Sequence, residues 1–427
     1  MMKIKCKYIL KQIFQNIKQN KYLQIIKYNK KIQNKLDKSL EDYKEYNQIE
    51  IDLNPISDYC CNNKFINLND NEKQYTHIFF NSNKKERNSY VLEEKTKIQK
   101  IKIKLDFELK SLKGLFKNCQ CLKEINFIKF NRKDIIYMSE MFKGSKNLNK
   151  INFLNFKTNN VNNMSYMFSG CSSLKELNLS NFITAKVTNM QNMFEGCSKL
   201  EILNILNFNT LNVIYMNDMF SECSSLQKLS LSNFNTSNVI NMSYMFYNCK
   251  AIKELNLSNF STSKVIDMSY MFYNCQAIKE LNLSNFNTAN VINMTNMFAG
   301  CRKLYILNNF SFDIKNNTRI KNMFSRCNSS LKEKKRISFK NLNDNAFENE
   351  YENGYEDFYF YEQNDFDFLF HPFNSDSEIQ SEEERDLVAH KEKPALFRVD
   401  KINKKNKNIN FINKIIIYNK FKSFKIS

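Results

Sequence analysis

Cysteine is the residue of this 427-residue chain best suited to nucleophilic, redox or metal chemistry, and eight of its twelve cysteines keep one phase. Cys119, Cys171, Cys197, Cys223, Cys249, Cys275, Cys301 and Cys327 lie 26 residues apart or a multiple of that, with Ser145 in the one gap. Zinc needs closely spaced ligands such as Cys-x-x-Cys, which one thiol per 26 residues does not supply. Disulfides along the column would need alpha-carbons within about 7 Å, and each thiol would have two equivalent neighbours to choose between. The spacing predicts a file of small buried hydrophobes. His77, His371 and His390 stand apart in sequence from catalytic or ligand partners, and no nucleophile elbow, phosphate-cradling glycine loop or metal triad occurs. Neither an enzyme nor a cofactor is expected.

The cysteines mark one position of a longer repeat. Met167-Phe168 returns as Met193-Phe194, Met219-Phe220, Met245-Phe246, Met271-Phe272, Met297-Phe298 and Met323-Phe324, and earlier as Met141-Phe142. A fixed period of this size predicts a solenoid, in which each unit buries its apolar face only against neighbouring units. In the unit from Leu174 to Lys199, Leu-x-x-Leu-x-Leu alternates as a short strand does. Phe182 closes the strand and recurs as Phe208, Phe234, Phe260 and Phe286, a core column beside the methionine and cysteine columns.

Downstream, Met190, Met193 and Phe194 follow the i, i+3, i+4 spacing of one helical face. Asn163, Asn189, Asn241, Asp267 and Asn293 sit where an N-cap belongs. Asn118, Gly144, Gly170, Gly196, Asn248, Asn274 and Gly300 sit where a left-handed residue would end the helix. The expected unit is strand, turn, two-turn helix, turn, giving an α/β leucine-rich-repeat-like solenoid of about eight to nine 26-residue coils. Asn181 and Thr184, repeated in most units, predict ladders of turn-satisfying hydrogen bonds, with a binding stripe as the functional alternative.

The string Leu-Asn-Leu-Ser-Asn-Phe-Asn-Thr-Ala-Asn-Val at 281–291, with Met294 to Cys301 after it, resembles BspA-type leucine-rich repeats and their relatives in mycoplasma surface proteins. The resemblance covers about residues 115–327 and implies a role in adhesion or protein interaction, with no catalytic residues to carry over. Such repeats also occur in many protist proteins, an origin that suits the Lys-, Asn- and Ile-rich composition.

Five segments follow: a basic helical region at 1–50, a polar connecting segment at 51–94, the solenoid with its caps at 95–340, an acidic aromatic-rich disordered segment at 341–395 and a basic tail at 396–427. Charge is uneven within the net +20: residues 344–386 hold fifteen acids, and 401–427 hold eight lysines and no acid. No nucleic-acid-binding motif accompanies the charge, so nucleic acid is not the expected partner. Ile9, Leu10, Ile13, Phe14 and Ile17 form an amphipathic stripe that predicts a small helical pair. Peripheral membrane contact and an F-box-like docking of a ubiquitin-ligase adaptor are its alternative roles. No signal peptide is visible, which favours the cytoplasm over the cell surface. Ile98, Ile101 and Ile103 predict an opening coil that shields the first core layer, and Leu331 to Phe339 an exit cap.

The expected function is a protein-interaction scaffold with an unidentified protein partner, the alternatives being a BspA-type adhesin and a ligase substrate receptor. Lys175, Glu176 and Asn178, with Lys253, Glu254, Asn256, Lys279, Glu280 and Asn282, form the candidate binding face, because the outward strand positions repeat the same pair in three units.

Overall fold

The chain divides into two compact units, Met1–Glu352 and Asn353–Ser427. The computed structural model describes residues 29–56, 63–92, 97–308 and 318–331, all within the first. The stripe Ile9–Ile17, the acidic segment, the basic tail and nearly all of the expected exit cap lie outside the described residues. Among those described, no helix is long and apolar enough to cross a membrane.

The 26-residue units are stacked coils in parallel register. Each opens on a fully buried aliphatic residue: Leu122, Leu148, Leu174, Leu200, Leu226, Ile252, Ile278 and Leu304. The columns at Phe182, Met193, Phe194 and Cys197 run through the core with almost no exposure in any described coil. Rings of the second phenylalanine column stack from coil to coil, with Phe168, Phe194, Phe220, Phe246 and Phe272 at centroid spacings of 5.5–5.7 Å. Nearest-neighbour burial of this kind gives a coil its stability, because none has a core of its own.

The expected two-turn helix is not formed. Over residues 164–171 the backbone makes overlapping turns, with Met167 N–H donating to Met164 O and Ser169 N–H to Tyr166 O. The alternate N–H groups leave the coil altogether. Met164, Tyr166, Phe168 and Gly170 donate to Asn189, Gln191, Met193 and Glu195 of the next coil at 2.6–3.0 Å. Tyr166 also takes a left-handed φ of 57°, repeated at Asn192, Asp218, Tyr244, Tyr270, Asn296 and Asn322. These intercoil bonds set a repeat of about 4.8 Å, and a helix roughly 10 Å across cannot stack at that spacing. The expected N-caps make tighter turns instead: Asn163 Oδ1 accepts Ser165 N–H at 2.9 Å and Asp267 Oδ1 accepts Ser269 N–H at 2.7 Å. The left-handed residues expected before each cysteine are present, and Glu222 and Arg326 join them.

The ladder also runs on the unexpected side. Parallel bridges pass unbroken through Ser111, Tyr137, Asn163, Asn189, Tyr215, Asn241, Asp267, Asn293 and Arg319. On the leucine side pairing is intermittent. With strands numbered along the chain, β6 (Leu122–Lys129) pairs with β7 (Lys150–Phe153), β8 (Glu176–Asn178) with β9 (Ile202–Asn204), and β10 (Glu280–Asn282) with β11 (Ile306–Asn308). A single bridge joins Lys228 to Glu254.

Side-chain ladders hold the turns between. Thr184 Oγ1 donates to Asn209 O at 2.9 Å and accepts Asn209 N–H at 2.7 Å. Thr158, Thr210, Thr236 and Thr262 do the same in their coils. Asn181, Asn207, Asn233, Asn259 and Asn285 donate to carbonyls of the preceding coil. A buried hydroxyl that both donates and accepts leaves no polar atom unpaired, which makes threonine affordable inside this stack.

The N-terminal cap is a sheet. β1 (Ile49–Pro55) lies between β5 (Ile101–Leu105) and β6, antiparallel to both, and β3 (Thr76–Phe80) completes the order β3-β5-β1-β6-β7. Two short strands, β2 (Asn63–Lys64) and β4 (Val91–Leu92), pair separately. The segment expected to connect thus supplies two cap strands, and Ile101 to Leu105 is an antiparallel cap strand rather than part of an opening coil. An exposed strand edge invites pairing with another chain, and β1 closes it. Helices Lys30–Leu36 and Leu40–Asn47 precede β1, each with an N-cap side chain bonding the third residue on.

Candidate functional site

The cysteine column is sealed and internally bonded. All nine described cysteines are buried. Cys197 Sγ donates to Phe168 O at 3.2 Å, and Cys171, Cys223, Cys249, Cys275, Cys301 and Cys327 repeat the bond one coil apart at 2.9–3.2 Å. Ser145 fills the gap by function as well as by phase, its Oγ donating to Phe116 O at 2.6 Å. Burial pushes the Cys197 thiol up to about 12, which disfavours the thiolate that would act as nucleophile or ligand at neutral pH. The column fastens one coil to the next.

Among the described residues the one histidine, His77, has two carboxylate partners. Its Nδ1 lies 2.9 Å from Glu86 Oε1 and its Nε2 3.1 Å from Asp106 Oδ2, the latter contact set by the pairing of β3 with β5. Burial alone would lower its pKa, but the two carboxylates hold it above the usual histidine value. No sequence pattern predicts this trio, because Asp106 is brought near only by strand register. Among the described residues no group of three His, Cys, Asp or Glu side chains is placed to hold a metal ion.

The outward strand positions are exposed as a face. Lys175, Glu176 and Asn178, Lys253, Glu254 and Asn256, and Lys279, Glu280 and Asn282 all point to solvent. The last six sit on adjacent coils. The first three are three coils away, with Glu201-Ile202-Asn204 and Gln227-Lys228-Ser230 on the two coils between. Ile202 stands 62 % exposed between the two groups and breaks the uniform pattern.

The turn side of the stack carries a second, more distinctive surface that sequence reading missed. Tyr244, Tyr247, Tyr270 and Tyr273 form a two-by-two lattice: Tyr244 stacks on Tyr270 at 4.6 Å and Tyr247 on Tyr273 at 5.0 Å. The same two rows hold Asn192 and Glu195, then Asp218 and Ser221, in the coils before, and Asn296 and Ala299 in the coil after. The Tyr-x-x-Tyr-x-x-x signal in coils 239–264 and 265–290 was legible. Its placement on one face was not, since a helix would have turned the pair differently.

Asp218 is the perturbed acid of this surface. Burial, relieved a little by a hydrogen bond from Asn217, and the charges of Glu195, Glu222 and Asp267 push its carboxyl up to about 7. The raised native pKa means that protonated Asp218 is accommodated at low pH, and that stability falls as pH rises from about 4 through 7. Asp218→Asn should therefore stabilise the protein at pH 8 by about 2 kcal/mol and flatten the pH profile, as thermal melts from pH 4 to 8 would report. A shift from 3.8 to about 7 implies roughly 4 kcal/mol, halved because the side chain is only partly buried. Asparagine suits the left-handed backbone, as Asn192 and Asn296 show. An unchanged profile would mean that Asp218 keeps an ordinary carboxylate.

A family model described as "Mycoplasma protein of unknown function, DUF285" matches residues 110–228, 175–281 and 248–353, together more than half of the chain. Among solved structures, a leucine-rich repeat protein from Bacteroides ovatus is similar at 16% identity, over 53% of this chain and 69% of that one, with a TM-score of 0.26. A comparison with curated proteins found no match.

Proposed function

Since this chain belongs to the family described as "Mycoplasma protein of unknown function, DUF285", whose description names no activity, we propose that it is a non-enzymatic scaffold for protein interaction. The mycoplasma-type repeat that the sequence resembles is the repeat of this family, and the BspA-like leucine-rich character rides on the same residues. One observation carries the functional reading. The described cysteines are buried, while the outward strand positions of the coils opening at Leu174, Ile252 and Ile278 are exposed to solvent. A surface of this kind supplies recognition through many shallow contacts.

Lys253, Glu254, Lys279 and Glu280, on adjacent coils with Asn256 and Asn282 between, are the residues on which the partner rests. Proximity labelling in the native cell, with wild-type chain and with Lys253→Ser, Glu254→Ser, Lys279→Ser and Glu280→Ser combined, tests this. The labelled set should lose particular proteins in the variant and keep its general background. Identical sets would end the reading of this face as the binding face. Labels confined to extracellular proteins would support the adhesin reading.

A further inference from the structure

We propose that the tyrosine lattice and the carboxylates beside it form a docking surface for an extended cationic protein segment, whose lysine or arginine side chains lie on the rings and meet Asp218 and Glu195. This surface is on the turn side, apart from the strand positions just discussed, and stands whether or not those bind anything.

The argument begins with the backbone. Tyr244 and Tyr270 hold left-handed φ values of 57° and 55°, a conformation that disfavours a bulky residue and suits asparagine. The fold meets the same requirement with Asn192, Asn296 and Asn322 in other coils. Tyr247 and Tyr273 likewise stand where neighbouring coils make do with Ser221 and Ala299. Packing of the stack therefore does not call for four tyrosines, yet they occur together on two adjacent coils. They remain partly exposed, so they do not serve the core.

Charge decides what the rings would attract. The coil next to the lattice places Asp218 beside Tyr244, and Glu195, Glu222 and Asp267 lie close enough to raise its proton affinity. Aromatic faces carry negative potential, and a cation between rings and carboxylates gains from both. An anionic partner would meet repulsion from these carboxylates. The row itself shows that the geometry works. Lys143, in the position corresponding to Ser169 one coil earlier, sets its ammonium 3.9 Å from the ring centroid of Tyr166, which occupies the row of Tyr244 and Tyr270.

Native residues of the repeat supply variants that keep the fold. Tyr244→Asn with Tyr270→Asn copies Asn192 and Asn296; Tyr247→Ser with Tyr273→Ala copies Ser221 and Ala299. The probe is a labelled dodecapeptide of alternating lysine and alanine, with a glutamate-alanine peptide as control, titrated into the full chain at about 0.15 M salt. Each double variant should weaken lysine-peptide binding roughly tenfold while the melting temperature holds. Photo-crosslinks from the peptide should map within residues 195–273. The strand-face variant Lys253→Ser with Lys279→Ser should bind the peptide as wild type does, so failure of this surface and failure of the strand face are told apart. Affinity unchanged within about twofold in both tyrosine variants, crosslinks confined to the acidic stretch 344–386, or equal binding of the glutamate peptide would each overturn the proposal.

Discussion

Phe220→Ala should lower the stability of the stack by about 3–5 kcal/mol and divide its urea unfolding into two transitions. Phe220 lies between Phe194 at 5.6 Å and Phe246 at 5.7 Å, rings nearly parallel, with no exposure to water. Truncation leaves a cavity that the two flanking coils cannot close, because each is tied to the next by backbone bonds such as Phe220 N–H to Met245 O at 3.0 Å. The intercoil bonds of residue 220 survive, so the loss falls on packing alone. A stack in which each coil contacts only its neighbours should break there: the capped N-terminal coils stay folded after those beyond Leu226 have melted. Hydrogen exchange by segment would show early loss of protection after residue 226. A single transition with a small shift would mean that the column contributes less than its burial implies.

Arg132→Ala should cost about 3 kcal/mol and release the cap sheet before the coils unfold. Arg132 occupies the position that Thr158, Thr184 and Thr210 hold in later coils, but it faces the cap. Its side chain is fully buried, forks onto Asp134 at 2.9 and 3.0 Å, and donates to Leu109 O at 2.5 Å and Asp106 O at 3.1 Å. Removal takes the Arg132 donor from Leu109 O, leaves Asp106 O with the Leu109 N–H alone, and opens a void where the guanidinium lay. Asp134 adds a pH signature. Burial would raise its carboxyl, but hydrogen bonds from Arg132 and Lys110 bring it down to about 2. A depressed carboxylate pKa contributes stability at pH values above about 4 that is lost as pH falls toward 2. In Arg132→Ala that acid-sensitive component should shrink. Arg132→Lys keeps the charge without the fork and should fall between. Protection of β1 and β5 that outlasts protection of the coils in Arg132→Ala would contradict the role.

The particular misreadings share one cause. Met190, Met193 and Phe194 do lie on one side of their segment, and Asn189 does start it, but both facts serve overlapping turns as well as a helix. Only the neighbouring coil decides between them, by offering Tyr215 O and Met219 O as acceptors to Met190 and Phe194. Ile101, Ile103 and Leu105 announced a buried strand and could not announce its direction, since antiparallel pairing with Ile49, Ile51 and Leu53 depends on a partner about fifty residues earlier. The tyrosines of coils 239–264 and 265–290 were visible as letters and silent as a surface.

By itself the sequence determined the period of 26, the residues that face inward, and the small polar residues that the turns need, because an apolar column must be written once per coil to be buried at all. The tertiary structure alone decided which side carries the continuous ladder, how the cap closes the first strand edge, and which side chains share the tyrosine face. Those choices rest on hydrogen bonds and contacts between coils, where the deciding partner stands 25 or more residues away and leaves no local mark.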